Sequence, residues 1–146
     1  MTKKSKKVTP FFVTLLGFIA LTLMIFNAVR FVTALIQWHL IVDFMSLPMP
    51  LYIASTGLLW ALSWFLVYLG IELSEKWTPF AVLGVSFSYI AYYWIDRFLF
   101  QSAAGRDNTK FAVVMTFVFS LFIIIALALP KSRAYFDEII ERDERN

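Results

Sequence analysis

Apolar residues run almost without interruption through four segments of the chain, and short polar stretches separate them. The segments cover residues 10–32, 51–72, 79–100 and 111–129. Each approaches the ~20 residues that a helix needs to cross about 30 Å of hydrocarbon. Because the segments are apolar on all sides, and do not alternate as barrel strands do, they predict helices. The pattern therefore predicts an all-α fold, an integral membrane four-helix bundle.

Prolines support these boundaries. Pro48 and Pro50 separate the first two spans, because paired prolines oppose a continuing helix. Pro79 suits the start of the third span, and Pro130 closes the fourth. The chain accordingly divides into an N-terminus, a transmembrane domain over 10–129 and a C-terminal tail.

The first apolar stretch is longer than one crossing requires. Residues 8–45 would measure roughly 55 Å as a single helix, nearly twice the hydrocarbon thickness, but they cannot form two crossings. We expect a span over 10–32 and a helical extension to about residue 44. Trp38 and His39 would then lie at headgroup level, where amphipathic rings are favoured.

Composition agrees with a membrane protein. Of 146 residues, 60% are hydrophobic and 16% charged, and the mean hydropathy is +0.74. Soluble domains have about 45–50% apolar and ~25% charged residues, so a soluble enzyme or a nucleic-acid module is excluded, and the lipid bilayer is the expected partner. The chain has no cysteine and one histidine, which leaves too few ligands for a predicted metal or haem site. No phosphate-binding glycine loop occurs either. We expect no cofactor, no catalytic residues and no enzyme activity.

The distribution of basic residues predicts the orientation. Seven short-loop lysines and arginines lie on the side of the N-terminus, against three or four on the other. The positive-inside rule then predicts a multi-pass protein of the cell membrane with both termini in the cytoplasm. The basic N-terminus, residues 1–9, contributes four of the seven, which are Lys3, Lys4, Lys6 and Lys7.

Two ionisable residues lie near one boundary of the predicted spans. Arg30 is twenty residues beyond Pro10, about 30 Å along the first helix. Asp96 is seventeen residues beyond Pro79, about 25 Å along the third, which starts from the same side. We expect a salt bridge between them near the outer face. Arg97 is the competing partner for Asp96, although neighbouring helical residues point about 100° apart.

Helical spacing extends this pair into a predicted polar cluster. On the first helix one stripe contains Asn27, Arg30, Ala34 and Gln37, and on the third a comparable face contains Tyr89, Tyr92, Tyr93 and Asp96. His39 and Asp43 are four residues apart on the extension and are expected to pair over the cluster. Two interpretations stay open: a small site that handles a solute, protons or ions, and a clamp that fixes helix register at the membrane edge.

Small residues at helical spacing predict close helix contacts, where dispersion replaces the hydrophobic drive that lipid removes. They form one stripe on the second span and one on the third, which contain Ala54, Gly57 and Ala61, and Gly84, Ser88 and Ala91. Both stripes would equally suit a partner protein.

The tail over 130–146 differs from the spans in composition. Tyr135, Phe136, Ile139 and Ile140 share one helical face and charged residues cover the rest. This predicts a short amphipathic cytoplasmic helix. It would lie on the interface or dock onto a partner or onto the bundle itself.

Three stretches of the chain, LYIASTGLLWAL at 51–62, YYWIDRF at 92–98 and KSRAYF at 131–136, resemble a loose group of small, uncharacterised four-span bacterial integral membrane proteins. The resemblance implies the fold and a prokaryotic cytoplasmic membrane. That group has no established activity, so it implies no catalytic residues.

Two functional hypotheses follow. The first is a non-enzymatic subunit or scaffold that packs against itself or a larger complex through the small-residue faces of spans two and three. The second is a small transporter or sensor whose polar site is built from Arg30, Asp96 and the neighbouring tyrosines. Neither involves nucleic acid.

Overall fold

The computed structural model describes residues 9–44, 48–100 and 107–137, and within these ranges the regular elements are all helices, joined by short turns, with no strand. This confirms the predicted all-α class. The helices are α1 (Phe11–Ile36), α2 (Trp38–Phe44), α3 (Pro48–Leu73), α4 (Thr78–Phe100), α5 (Thr109–Ala128) and α6 (Pro130–Asp137).

Two boundaries differ in detail from the sequence prediction. The extension of the first span is a separate short helix, because α1 ends at Ile36 and α2 begins after Gln37. Pro48 is the first residue of α3. A backbone N–H at this position would have no acceptor within the helix, so proline, which lacks the N–H, is tolerated there. Pro130 likewise opens α6 directly after α5 has ended.

Three helices are long and apolar enough to cross a membrane, namely α1, α3 and α5. This favours a membrane protein. The predicted third span, α4, has 23 residues but does not belong to this set. Its sequence contains Asp96, Arg97, three tyrosines and two serines, which lower its mean hydropathy.

The tightest helix contact joins α1 to α3. A Cβ added at Gly57 would lie 3.0 Å from the backbone nitrogen of Phe31 and 3.2 Å from the carbonyl oxygen of Asn27. Ala54 and Ala61 are buried on the same stripe of α3. Only a residue without a side chain permits this approach of two backbones. The predicted packing role of the α3 stripe is thereby confirmed, with α1 as its partner.

The chain order places the helix ends in two groups. At one end of the bundle α1 and α4 end and α3 and α5 begin, and we call it the Arg30 end. At the other, the Lys76 end, α1 and α4 begin and α3 and α5 end.

A tight turn connects α3 to α4 at the Lys76 end. Ser74 has φ 57°, and the N–H of Glu75 donates to the carbonyl of Gly70 at 3.0 Å, which ends α3 in a left-handed cap. A Cβ at Gly70 would lie 2.6 Å from Thr78 Oγ1, so glycine lets the turn fold back onto the helix.

The C-terminal helix α6 docks onto the bundle at the Lys76 end. Tyr135 and Phe136 are 7% and 2% exposed, and the Tyr135 hydroxyl donates to the carbonyl of Ile71 at 3.2 Å. The sequence left open whether this helix lies on the membrane interface, on a partner or on the bundle. In the structure α6 packs on the bundle. Ile139 and Ile140 lie outside the described residues, as do the N-terminal lysines.

The outer surface of the long helices is apolar. Phe18, Leu59 and Phe117 are 65%, 59% and 68% exposed. Hydroxyls on these helices donate to carbonyls four residues earlier, as Thr22 does to Phe18 at 2.8 Å and Ser63 to Leu59 at 2.9 Å. Such bonds satisfy the hydroxyls within the helix itself, so these residues do not mark a site.

Candidate functional site

Side chains from α1, α3 and α4 form a hydrogen-bonded cluster at the Arg30 end. Arg30 donates from Nη1 to the hydroxyl of Tyr92 at 2.7 Å, and its guanidinium carbon lies 5.8 Å from the centre of the Tyr92 ring. The Tyr52 hydroxyl donates to Asp96 Oδ1 at 2.9 Å.

The predicted salt bridge between Arg30 and Asp96 is wrong. Both residues are described, and each binds a tyrosine hydroxyl rather than the other. The depth argument placed them at the same end of the bundle, but it did not take Tyr52 and Tyr92 into account. Tyr92 of α4 accepts a hydrogen bond from the cation of α1, and Tyr52 of α3 donates one to the carboxylate of α4. We call these two hydrogen bonds, Arg30–Tyr92 and Tyr52–Asp96, the polar relay.

Asn27 lies one helical turn below Arg30 and is fully buried. Its Nδ2 donates to the carbonyl of Leu23 at 2.8 Å and to the hydroxyl of Tyr89 at 3.3 Å. Its Oδ1 is buried and accepts no hydrogen bond from any described residue. An unsatisfied amide oxygen in a protein interior is costly, so this atom is the strongest mark of a vacant hydrogen-bonding position in the cluster.

Two tryptophans of α3 pack against the tyrosine rings of the cluster. Trp60 lies edge-on to Tyr89, with ring centres 5.0 Å apart, and 5.3 Å from the ring of Tyr92. Trp64 lies edge-on to Tyr89 at 5.7 Å and is 2% exposed. These contacts hold the tyrosine rings in place, because edge-to-face aromatic pairs have preferred geometry.

Three predicted members lie apart from the cluster. Gln37 is exposed in the break between α1 and α2, and His39 and Asp43 are exposed on α2. The expected pairing of His39 with Asp43 is not formed between these two described side chains. The break at Gln37 separates α2 from α1, so the spacing of the α1 stripe does not extend to the α2 side chains.

Tyr93 also belongs elsewhere. Its hydroxyl accepts a hydrogen bond from Arg97 Nη1 at 3.2 Å, while Arg97 Nη2 donates to Asn108 Oδ1 at 2.6 Å and to the Thr109 hydroxyl at 3.2 Å. Arg97 is 3% exposed. It therefore joins α4 to the start of α5, and it does not compete for Asp96.

The small-residue stripe of α4 is not covered by the residues that the structure describes. Gly84, Ser88 and Ala91 are exposed, and a Cβ added at Gly84 would meet no atom within 4 Å. The expectation that this stripe gives the bundle its internal contacts is wrong for α4. The α3 stripe is covered by α1, so of the two stripes the α4 one is left exposed among the described residues.

Sequence reasoning missed Tyr52 as a member of the cluster. A signal was present, because α3 starts at the end where α1 finishes, so its first turns lie at the depth of Arg30. Tyr52 is the residue with a phenolic hydroxyl in those turns.

The cluster holds one cation, one carboxylate, three tyrosines and an amide, a set suited to binding a small polar solute or water. Across residues 9–44, 48–100 and 107–137, no three His, Asp or Glu side chains come together as a metal site would require.

A scan against protein-family models found no match, and searches of curated proteins and of solved structures found none.

Proposed function

We propose that this chain is a non-enzymatic, multi-pass subunit or scaffold of a cell-membrane complex, in which α4 crosses the membrane together with α1, α3 and α5 and offers its small-residue face to another membrane helix. The partner is a second copy of the chain or a different membrane protein. Both termini then lie in the cytoplasm, and the Arg30 end faces outward. The observation that carries the proposal is the exposed face of Gly84, Ser88 and Ala91.

The length and polarity of α4 support this assignment. Its 23 residues extend about 35 Å, enough to cross the hydrocarbon. Its inward side contributes Ser86, Tyr89, Tyr92 and Asp96 to the interior, so a bilayer helix with this sequence gains from protein neighbours on more than one side. Small residues on the opposite face permit the close backbone approach that drives association in lipid.

The distribution of charge supports the orientation. Lys76, Lys131 and Arg133 lie at the Lys76 end, and Arg30, Arg97 and Lys110 lie at the Arg30 end, so the excess of basic residues comes from the N-terminus. The N-terminal lysines precede α1, which begins at the Lys76 end. This excess of basic residues favours the cytoplasmic side for that end.

The experiment compares Gly84→Leu and Ala91→Leu with the unchanged chain, after gentle solubilisation from the native membrane and native mass measurement. Each leucine fills space that a neighbouring helix would occupy, so we expect the assembled fraction to fall at least about tenfold, which is ~1.4 kcal/mol of association. Because a Cβ added at Gly84 would meet no atom of the described residues within 4 Å, the monomer should keep its stability.

The matched control is Val114→Leu, an exposed aliphatic position on α5 that lies outside the α4 face. It should leave assembly unchanged. A chain that purifies alone as a monomer, or a Gly84→Leu chain that assembles as the unchanged chain does, would refute the subunit proposal.

A second function is favoured by the unpartnered Oδ1 of Asn27 beneath Arg30. In this alternative the cluster is the polar site of a small transporter or sensor, open to the outer face, with a solute or water accepting from Arg30 and donating to Asn27. Arg30 is half-buried, so a solute would reach the cluster from the surface past its side chain.

Cysteine labelling tests this alternative cleanly, because the chain has no cysteine of its own. A membrane-impermeant thiol reagent added outside should label Tyr92→Cys if the cluster is water-filled. Leu59→Cys, exposed on the apolar surface of α3, should stay unlabelled. Equal protection of both positions would contradict a hydrated site.

A further inference from the structure

A groove of about 430 Å³ lies at the Lys76 end, between the start of α4, the end of α5 and α6. This volume is within the ~300–1,000 Å³ typical of small-molecule sites. Apolar side chains from all three helices form its walls, among them Phe80, Leu83, Ile124, Leu127 and Phe136. Phe80 is 79% exposed and Phe136 is 2% exposed, so the groove opens to the surroundings at α4 and closes against α6.

Two cations border this groove. Lys76 comes from the turn before α4 and Arg133 from α6, and the fold brings them to one site although they are far apart in sequence. Both side chains are exposed, and neither forms an ion pair with another described residue. Glu72 and Glu75, the acidic residues of the same turn, do not line the groove. Among the residues that the structure describes, only Lys76 and Arg133 bring charge to the lining of the groove, so that lining is positively charged at its mouth.

The remainder of the groove is hydrocarbon-like. The walls extend from Lys76 and Arg133 along α4 and α5, in the direction that leads into the bilayer under the proposed membrane placement. Long basic side chains at a helix end reach toward phosphates at the interface. The start of α4 adds the partial positive charge of a helix N-terminus to the same side.

We propose that the groove binds an anionic phospholipid of the cytoplasmic leaflet. Arg133 and Lys76 hold the phosphate, Arg133 through its planar fork and Lys76 as a point charge. An acyl chain lies along Phe80, Leu83 and Leu127. A zwitterionic lipid has the same acyl chains but brings its own cation, so the groove selects for net negative charge. The inference rests on the membrane placement in the proposed function, and not on the protein partner.

The experiment measures lipids retained by the chain purified alone from vesicles of phosphatidylcholine and phosphatidylglycerol at 3:1, by native mass spectrometry. We expect phosphatidylglycerol to be enriched over phosphatidylcholine on the unchanged chain. Lys76→Gln and Arg133→Gln should each lower that enrichment about fivefold, since one cation near the surface contributes ~1 kcal/mol. The double variant should abolish it. Because the chain is tested alone, loss of the α4 partner does not affect the result.

Two control variants separate the groove from general surface charge. Lys131→Gln removes the same charge at the same end but lies outside the groove, in a cavity that Pro10 and Phe11 also line. Lys110→Gln removes it at the Arg30 end. Both should keep the enrichment within about twofold. A loss with Lys131→Gln equal to that with Arg133→Gln would overturn the proposal, as would equal retention of both lipids.

The apolar walls provide a further test. Soluble glycerol phosphate has the headgroup chemistry without acyl chains, so at millimolar concentration it should not displace the retained phosphatidylglycerol. Displacement would show that the site takes a free phosphate and would overturn its assignment to a lipid.

Discussion

The stripes of small residues on α3 and α4 have the same spacing and opposite surroundings. On α3, Gly57 lies against the backbone of α1, and an added Cβ would be 3.0 Å from the nitrogen of Phe31. On α4, Gly84 has open space around it. The comparison shows that small-residue spacing in a membrane helix marks a face able to pack closely, but does not identify the neighbour. One stripe completes the fold, and the other is left for assembly.

A buried ring of α3 and an exposed ring of α4 should differ most in what they contribute to the free energy of unfolding. Trp64→Ala removes a side chain that is 2% exposed among Tyr89, Val67 and Val82, and should lower the free energy of unfolding by about 3–5 kcal/mol. Phe87→Ala removes a ring that is 48% exposed, and should cost under ~1 kcal/mol. Unfolding in mixed micelles with increasing denaturing detergent measures both. Equal losses would contradict a core centred on α3.

A methyl group added to the central glycine of each stripe should have opposite effects on stability. Gly57→Ala places a methyl against the backbone of α1, which cannot move aside as a flexible side chain would, and should cost about 2 kcal/mol of unfolding free energy. Gly84→Ala meets no atom and improves helix propensity, so it should be neutral or stabilising by up to ~1 kcal/mol. The same unfolding assay on the isolated chain measures both. A destabilised Gly84→Ala monomer would mean that α4 packs inside the chain on that side.

The smallest of the three effects tests whether the polar relay also holds α3 against α4. Tyr52→Phe removes the hydroxyl that donates to Asp96 and leaves the carboxylate without that bond, so we expect a loss of about 1.5 kcal/mol. Tyr68→Phe is the matched control, because its hydroxyl makes no hydrogen bond to the described residues. It should change stability by less than ~0.5 kcal/mol. If Tyr52→Phe behaves like the control, the relay is not a clamp.

Residue-level reasoning located the depth of the polar cluster but not its bonds. Arg30 and Asp96 reach the same end because helix rise is fixed at 1.5 Å per residue. Their partners depend on the rotation of each helix about its axis and on which helices are neighbours. Tyr52 entered the cluster because α3 packs against α1, and Arg97 turned to α5 because α4 presents a different side there. Neither fact is encoded in the spacing along one segment.

From the sequence alone the chain is predicted to be helical with four membrane spans, because length and apolarity are properties of each segment. In the structure three of those four segments are helices long and apolar enough to cross a bilayer. Tertiary structure alone decided that Gly57 meets α1 while Gly84 meets open space, and that Tyr52 and Tyr92 separate Arg30 from Asp96. In lipid the hydrophobic effect does not favour burying one apolar helix face instead of another, because the surroundings are equally apolar. Helix neighbours are then selected by the sum of many weak contacts, which exists only once the whole bundle has assembled.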